Sequence, residues 1–135
     1  MSITLRVLSP DKSVFDGEVD EIIIPSTTGQ VGILPGHISM VTAVEIGVLR
    51  VLNKGAWESI FLMGGFAEVE SNEVTVLVNS AEKGIEIDQS IAENELLDAQ
   101  NEFEKINENS DKAAQLKAKD TLARAKARVQ ATKTS

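Results

Sequence analysis

The fold is decided by the last 51 residues of the chain, 85–135, which read IEIDQSIAENELLDAQNEFEKINENSDKAAQLKAKDTLARAKARVQATKTS. This stretch contains neither glycine nor proline, whereas all nine glycines and all three prolines lie before residue 85. Glycine and proline mark turns, and inside a helix they cost roughly 1 and 3 kcal/mol per residue, respectively. The sequence therefore predicts a turn-rich part over residues 1–84 and a helical part over residues 85–135.

Two segments of the helical part carry an apolar stripe with the spacing of a helix face. They cover residues 88–106 and 111–130, and their apolar residues recur three or four positions apart. The stripes consist of Ala92, Leu96, Ala99, Phe103 and Ile106 in the first segment and of Ala114, Ala118, Leu122, Ala125 and Val129 in the second. Because alanine side chains are small, they let two helices approach closely but bury little area. We expect an antiparallel two-helix hairpin that is only weakly docked.

Helix N-caps are predicted at the start of both segments. Asp88 and Ser90 are both suitable for the first helix, and Ser90 followed by Glu93 is a capping-box pattern. The polar residues 107–111 interrupt the stripes, so one of the last two residues of this break would cap the second helix.

The turn-rich part alternates apolar and polar residues, which is typical of half-buried strands. Residues 3–7 and 74–78 are two examples, although Leu77 in the second suggests burial on both sides. Turn signals such as Gly64-Gly65 separate the candidate strands at short intervals. Many short strands at this spacing predict an antiparallel β-sandwich or flattened barrel. The fold class is therefore α+β, with the sandwich first and the hairpin after it.

Length and composition exclude several classes of protein. A chain of 135 residues forms one domain, or one domain with an appendage. It has no cysteine, hence no disulfide and no thiolate metal site. No apolar run approaches the ~18 residues of a membrane span, and no signal sequence is recognised. We expect a soluble protein, or one that reaches a membrane only through a partner.

Charge is distributed unevenly along the chain. The net charge of −8 argues against nucleic acid as a partner, because phosphate binding needs a basic surface. Residues 85–111 carry nine acids against one base, whereas residues 112–135 carry seven bases against one acid. In a hairpin the acidic start of the first helix lies beside the basic end of the second. Taken alone, Arg124, Lys126 and Arg128 therefore suggest a solvated face that complements this acidic start.

No pattern of catalytic residues stands out. His37 is the chain's single histidine, which excludes a two-histidine metal site, and its position beside a turn favours a contact role. The glycines at 29, 32 and 36 fit neither common phosphate-binding loop and are expected to make tight turns. The sequence thus predicts no catalytic residue, metal site or cofactor.

Three stretches nevertheless resemble a known family. Residues 29–37 (GQVGILPGH), 47–51 (GVLRV) and 64–69 (GGFAEV) are similar to the signature of the epsilon subunit of F-type ATP synthases. The resemblance extends over the whole chain, including the helical part. The sequences of residues 25–29 (PSTTG) and 62–65 (LMGG) most resemble those of the cyanobacterial and plastid branch.

The resemblance implies a non-catalytic rotor subunit of the central stalk, which couples rotation of the membrane c-ring to the gamma subunit. It implies attachment to the cytoplasmic or stromal face of the thylakoid membrane, or to the plasma membrane, only through the complex. Two loops would make these contacts: Thr28, Gly29, Gln30 and Val31 with the c-ring, and His37, Ile38 and Met40 with gamma.

The resemblance also implies that the hairpin is a mobile arm. It would leave the sandwich, transiently contact the alpha and beta catalytic subunits, and inhibit ATP hydrolysis. Forty-odd helical residues at 1.5 Å each span about 60 Å, which is long enough for such a role. The basic cluster of Arg124, Lys126 and Arg128 would then meet acidic segments of those subunits.

Some members of the family bind ATP on the folded hairpin through an Ile/Leu-Asp-x-x-Arg-Ala motif. Here Ile87, Asp88 and Ala92 match the motif, but Ile91 stands at the arginine position. Because a cation that would face phosphate is lost, we expect millimolar or no ATP binding and interpret Asp88 as a plain helix N-cap.

Two alternatives belong to other functional classes. A free-standing adaptor would bind one protein with the sandwich and recruit another with the hairpin, and it would reside outside any membrane-bound assembly. An enzyme would have to work with one histidine, no cysteine and scattered carboxylates.

Overall fold

The computed structural model describes residues 2–106 and 109–133, so residues 107 and 108 of the predicted polar break lie outside the described residues. In the described part the sandwich has eight strands: β1 (Ile3–Leu8), β2 (Ser13–Val19), β3 (Glu21–Ser26), β4 (Gly29–Ile33), β5 (Met40–Asn53), β6 (Ala56–Glu70), β7 (Glu73–Val78) and β8 (Ala81–Lys83). A 3-10 turn (Gly84–Glu86) leads to helices α1 (Gln89–Lys105) and α2 (Lys112–Thr132). The predicted α+β class is confirmed.

The strands form one sheet that curls around a single core. Their order is β2-β1-β7-β6-β5-β3-β4, and β8 pairs with β6. β1 runs parallel to β7, while the other strand pairs in the described part are antiparallel. Each strand contributes buried apolar side chains to the core, as the alternation predicted for β1 and β7.

The turn predicted at Gly64-Gly65 is wrong, because both glycines lie inside the single 15-residue strand β6. Gly64 and Gly65 have φ values of 98° and 154°. A Cβ atom on Gly65 would overlap the backbone carbonyl of Leu77 on β7. The pair therefore lets the strand bend while its neighbour passes closely, which only glycine permits.

Both helices begin within two residues of their predicted starts. The Asp88 carboxylate accepts the N–H of Ile91 at 3.1 Å, and the Asp111 carboxylate accepts the N–H of Ala114 at 2.7 Å. These are N-cap contacts, so the interpretation of Asp88 as an N-cap is confirmed. The capping box is wrong, because Ser90 lies inside α1, one position beyond its first residue.

The hairpin packs on the sandwich through a second, smaller apolar cluster, here called the docking interface. Its buried members are Val48, Phe61, Ile87, Ala92, Ala127, Val129 and Ala131. Ala127 and Ala131 were not in the predicted stripe of α2, because the face of the helix that meets the sandwich differs from the face that meets α1. Phe103 of the predicted α1 stripe is exposed.

Candidate interaction sites

The loop Thr28–Val31, predicted to meet the c-ring, lies at the tip of the β3–β4 hairpin. Thr27 and Thr28 form the turn, and Gly29 takes a φ of 114° that only glycine adopts without strain. The buried Ser26 hydroxyl donates to the carbonyl of Gly29 at 2.6 Å and accepts the N–H of Thr28 at 3.3 Å. The structure thus presents a stiff, exposed and uncharged tip, with Val31 packed partly against the core.

The turn that holds His37 connects β4 to β5. The N–H of His37 donates to the carbonyl of Leu34 at 3.1 Å, and its Nδ1 atom lies 2.7 Å from the carbonyl oxygen of Ile38. Because a carbonyl only accepts, Nδ1 carries the hydrogen in this contact. The ring is therefore held within the turn, while the Ile38 side chain is 78% exposed and Met40 packs partly against the core.

An exposed apolar surface continues from this turn across the outside of the sheet. It consists of Val41 on β5, Phe66 on β6 and Leu77 on β7, and is here called the apolar face. Phe66 is 61% exposed and Leu77 is 54% exposed, so the expectation that the strand of Leu77 is buried on both sides is wrong for the chain alone. Phe66 and Leu77 are directly opposite each other in the β6–β7 register. The sequence shows that both residues are large and apolar, but their pairing on the solvent-facing side of the sheet follows only from the strand register.

The three residues of the basic cluster have different surroundings. Lys126 is exposed and Arg124 is half-buried. Arg128 is held by two carboxylates: its Nε and Nη2 atoms lie 3.0 and 3.1 Å from the two oxygens of Glu82, and its Nη1 atom lies 3.0 Å from Glu95. We call the group formed by Arg128, Glu82 and Glu95 the Arg128 clamp. It joins β8, α1 and α2, and it confirms that the acidic start of the first helix lies beside the basic end of the second.

The Arg128 clamp is stronger than an exposed ion pair. The Arg128 side chain is 22% exposed, and its contact with Glu82 is bidentate. The hydrogen bonds to Glu82 raise the pKa of the Arg128 guanidinium above its ordinary value, against burial, which lowers it, and the negative charges of Glu82 and Glu95 add to the rise. Since this guanidinium is protonated at neutral pH in any case, the clamp does not lose its cation in the physiological range.

A crevice of about 510 Å³ lies over the clamp, between the sandwich and the hairpin. Its lining includes Glu82, Glu95, Arg124 and Arg128. The carboxylates in it already neutralise Arg128. Ile91, at the position of the family arginine, is 55% exposed and supplies no charge.

Among residues 2–106 and 109–133, no group of three or more histidine, cysteine, aspartate or glutamate side chains could hold a metal ion. Neither of the helices described is long and apolar enough to cross a membrane.

The structure thus combines a β-sandwich, exposed loops and a docked two-helix hairpin. Residues 2–84 match the sequence profile of the beta-sandwich domain of the ATP synthase delta/epsilon chain. The whole chain is 62% identical to the ATP synthase epsilon chain of Prochlorococcus marinus strain MIT 9211, over the full length of both. It is 60% identical to that of Synechococcus sp. strain WH7803 over 133 residues, or 98% of each chain. The chain therefore belongs to the family of ATP synthase epsilon chains, which are non-catalytic subunits of a rotary complex.

Solved structures share the fold. A chain of the Euglena gracilis mitochondrial ATP synthase, from a structure of OSCP, F1 and the c-ring, superposes with a TM-score of 0.79 at 24% identity, covering 93% of this chain and 78% of that one. A chain from the central stalk and c-ring of the Tetrahymena thermophila enzyme gives 0.64 at 17% identity, covering 98% and 97%. The resemblance noted in the sequence is confirmed, and membership of the family displaces the adaptor and enzyme alternatives.

Proposed function

We propose that this chain couples rotation of the c-ring to gamma in the central stalk, and that its hairpin is a mobile arm that inhibits ATP hydrolysis. The observation that carries the proposal is the docking interface, to which the two helices bring three buried alanines and Val129. Burial of these side chains supplies on the order of 4–5 kcal/mol. A two-state arm needs a difference of ~5.5 kcal/mol to change from 1:99 to 99:1. Contacts elsewhere in the assembly can therefore compete with docking.

The test is ATP hydrolysis by the reconstituted catalytic complex. Full-length chain and a chain that ends after Gly84 are added at equal concentration, and binding of each is measured separately. We expect both to bind and only the full-length chain to inhibit. If both bind and neither inhibits, the arm is not a brake; if neither binds, the proposed place in the central stalk is wrong.

The β3–β4 tip is proposed to contact the c-ring. Support comes from the exposure of Thr28, Gly29 and Gln30 and from the stiffening of the tip by the Ser26 hydroxyl. The chain has no cysteine, so Gln30→Cys gives a unique cross-linking site. The matched control is Lys54→Cys in the β5–β6 turn, which the strand register places at the opposite end of β3. We expect cross-links to the c-ring from position 30 alone, and equal yields from both positions would contradict the assignment.

The turn with His37, Ile38 and Met40 is proposed to contact gamma, together with the adjoining apolar face. Exposed apolar side chains on a sheet are typical of an interface that is buried in an assembly. Phe66→Gln should weaken binding to gamma by about tenfold or more, since its burial is worth 1.5–3 kcal/mol. The control is Ile85→Gln, which removes a more exposed apolar side chain from a different surface. Equal effects of the two variants on binding would show that the apolar face does not contact gamma.

ATP binding on the folded hairpin is proposed to be millimolar or absent. Of the two arginines that line the crevice, Arg128 is already engaged by two carboxylates, and Asp88 is engaged as an N-cap. Isothermal titration of the unmodified chain should give no measurable heat at micromolar ATP. Ile91→Arg is the informative variant, because it restores the cation of the family motif. Micromolar affinity of the unmodified chain would overturn this interpretation.

Attachment to the membrane is proposed to occur only through the complex, on the cytoplasmic or stromal face of the thylakoid or plasma membrane. The cyanobacterial origin of the relatives supports this proposal. Washing membranes to remove the catalytic sector should release the chain together with gamma, and its retention without gamma would contradict the proposal.

A further inference from the structure

The Arg128 clamp engages all three nitrogen atoms of the guanidinium group. Each of its three nitrogen atoms donates to a carboxylate, and the side chain retains only 22% exposure. Three of the five N–H donors of the guanidinium are engaged in this way, and its Nε–Nη2 edge is taken by the bidentate contact with Glu82. In the docked hairpin Arg128 is therefore occupied by the chain itself, unlike the exposed Lys126.

We propose that Arg128 has two mutually exclusive sets of partners: Glu82 and Glu95 while the hairpin is docked, and acidic surfaces of the catalytic subunits once it has left. This inference rests on the proposed function of the arm. The arm must then break its own clamp before its basic cluster can act, so docking and inhibition compete for one side chain. The equilibrium between the docked and the undocked hairpin is set by the difference in free energy between the contacts made in each state. The contacts of Arg128 with Glu82 and Glu95 favour the docked state.

The two carboxylates of the clamp have different roles. Glu82 lies on β8 of the sandwich, so its contact with Arg128 ties the hairpin to the sandwich. Glu95 lies on α1, so its contact ties the two helices to each other and persists if the hairpin moves as one unit. Loss of Glu82 should release the hairpin, whereas loss of Glu95 should loosen α2 from α1.

The first experiment follows hydrogen exchange of the α2 amides in the isolated full-length chain. Glu82→Gln should make exchange about tenfold faster, as expected for the loss of a bidentate, charge-assisted pair. The control is Glu86→Gln, which removes the same charge from an exposed residue of the neighbouring 3-10 turn. If both variants exchange at the same rate as the unmodified chain, the clamp does not hold the hairpin and the inference fails.

The second experiment measures inhibition of ATP hydrolysis by the same proteins and by Arg128→Gln. Glu82→Gln frees both the hairpin and the arginine, so it should inhibit at a concentration several-fold lower than the unmodified chain. Arg128→Gln frees the hairpin but removes the cation, so it should exchange as fast as Glu82→Gln yet inhibit less. Equal inhibition by these two variants would show that Arg128 does not contact acidic surfaces of the catalytic subunits.

The two measurements separate the inference from the proposed function. Faster exchange with no inhibition by any variant, or by the unmodified chain, overturns the brake and with it the competition for Arg128. Unchanged exchange together with inhibition by the unmodified chain overturns the clamp and leaves the brake in place.

Discussion

Gly84→Ala should detach the end of α2 from the sandwich without removing any contact atom. A Cβ atom at Gly84 would overlap the backbone carbonyl oxygen of Ala131 and lie 3.2 Å from the carbonyl oxygen of Ser59. Neither neighbour is the flexible end of a side chain, so relief requires movement of the helix. The backbone of Gly84 lies outside the left-handed region, so the substitution adds no conformational strain of its own.

The size of the effect follows from what the helix end loses. Overpacking of this kind costs about 1–3 kcal/mol. Moving the helix away instead exposes Val129 and Ala131, which are both buried, at a cost of the same order. Either route raises the undocked population by roughly five- to 150-fold.

Limited trypsin digestion of the isolated chain measures this population, because cleavage in α2 needs the open form. Gly84→Ala should make cleavage after Arg124 and Lys126 roughly five- to 150-fold faster, in proportion to the undocked population. Gly32→Ala is the matched control, since a Cβ atom there has no neighbour within 4 Å. Equal cleavage rates for the two variants would show that close approach at residue 84 does not hold α2 in place.

Three further predictions concern stability. Leu5→Ala, in the core, should cost about 2–5 kcal/mol in urea unfolding, while the neighbouring Arg6→Ala, whose ion pairs are exposed, should cost under about 1 kcal/mol; similar costs would contradict the assignment of the two faces of β1. Asp111→Ala removes the N-cap of α2 and should lower stability by about 0.5–2 kcal/mol, measured by circular dichroism, with Asp111→Asn retaining most of it. Arg50→Gln removes a guanidinium 4.7 Å from the centroid of Trp57, the chain's one tryptophan, and should cost about 0.5–1 kcal/mol with a shift in its emission; an unchanged spectrum would argue against the contact.

The elements that local patterns govern could be predicted from the sequence. Alternation in β1 and β7 and the three-four spacing in both helices act within a few residues, so their positions followed directly. The prediction of a turn at Gly64-Gly65 was wrong because glycine is used both for a bend inside a strand and for a turn between strands. Which of these forms depends on the neighbouring strand, and that information is not local.

The candidate sites depended still more on distant residues. The partner of Arg128 on the sandwich is Glu82, 46 positions earlier, and no spacing rule joins them. The apolar face was missed because Leu77 is apolar on the outer side of its strand, which a single sequence does not distinguish from burial. Asp88 could be predicted because an N-cap acts on an amide three residues away.

The parallel pairing of β1 with β7 has a consequence for the order in which the chain folds during synthesis. Leu5 is paired with Val74, which is made 69 residues later. At 5–20 residues per second, β1 waits about 3–14 s for this neighbour. During that time β1 has its other edge covered by β2, which follows it at once in the chain. The helices follow all eight strands in the chain, so every strand of the sandwich has been synthesised before the hairpin is.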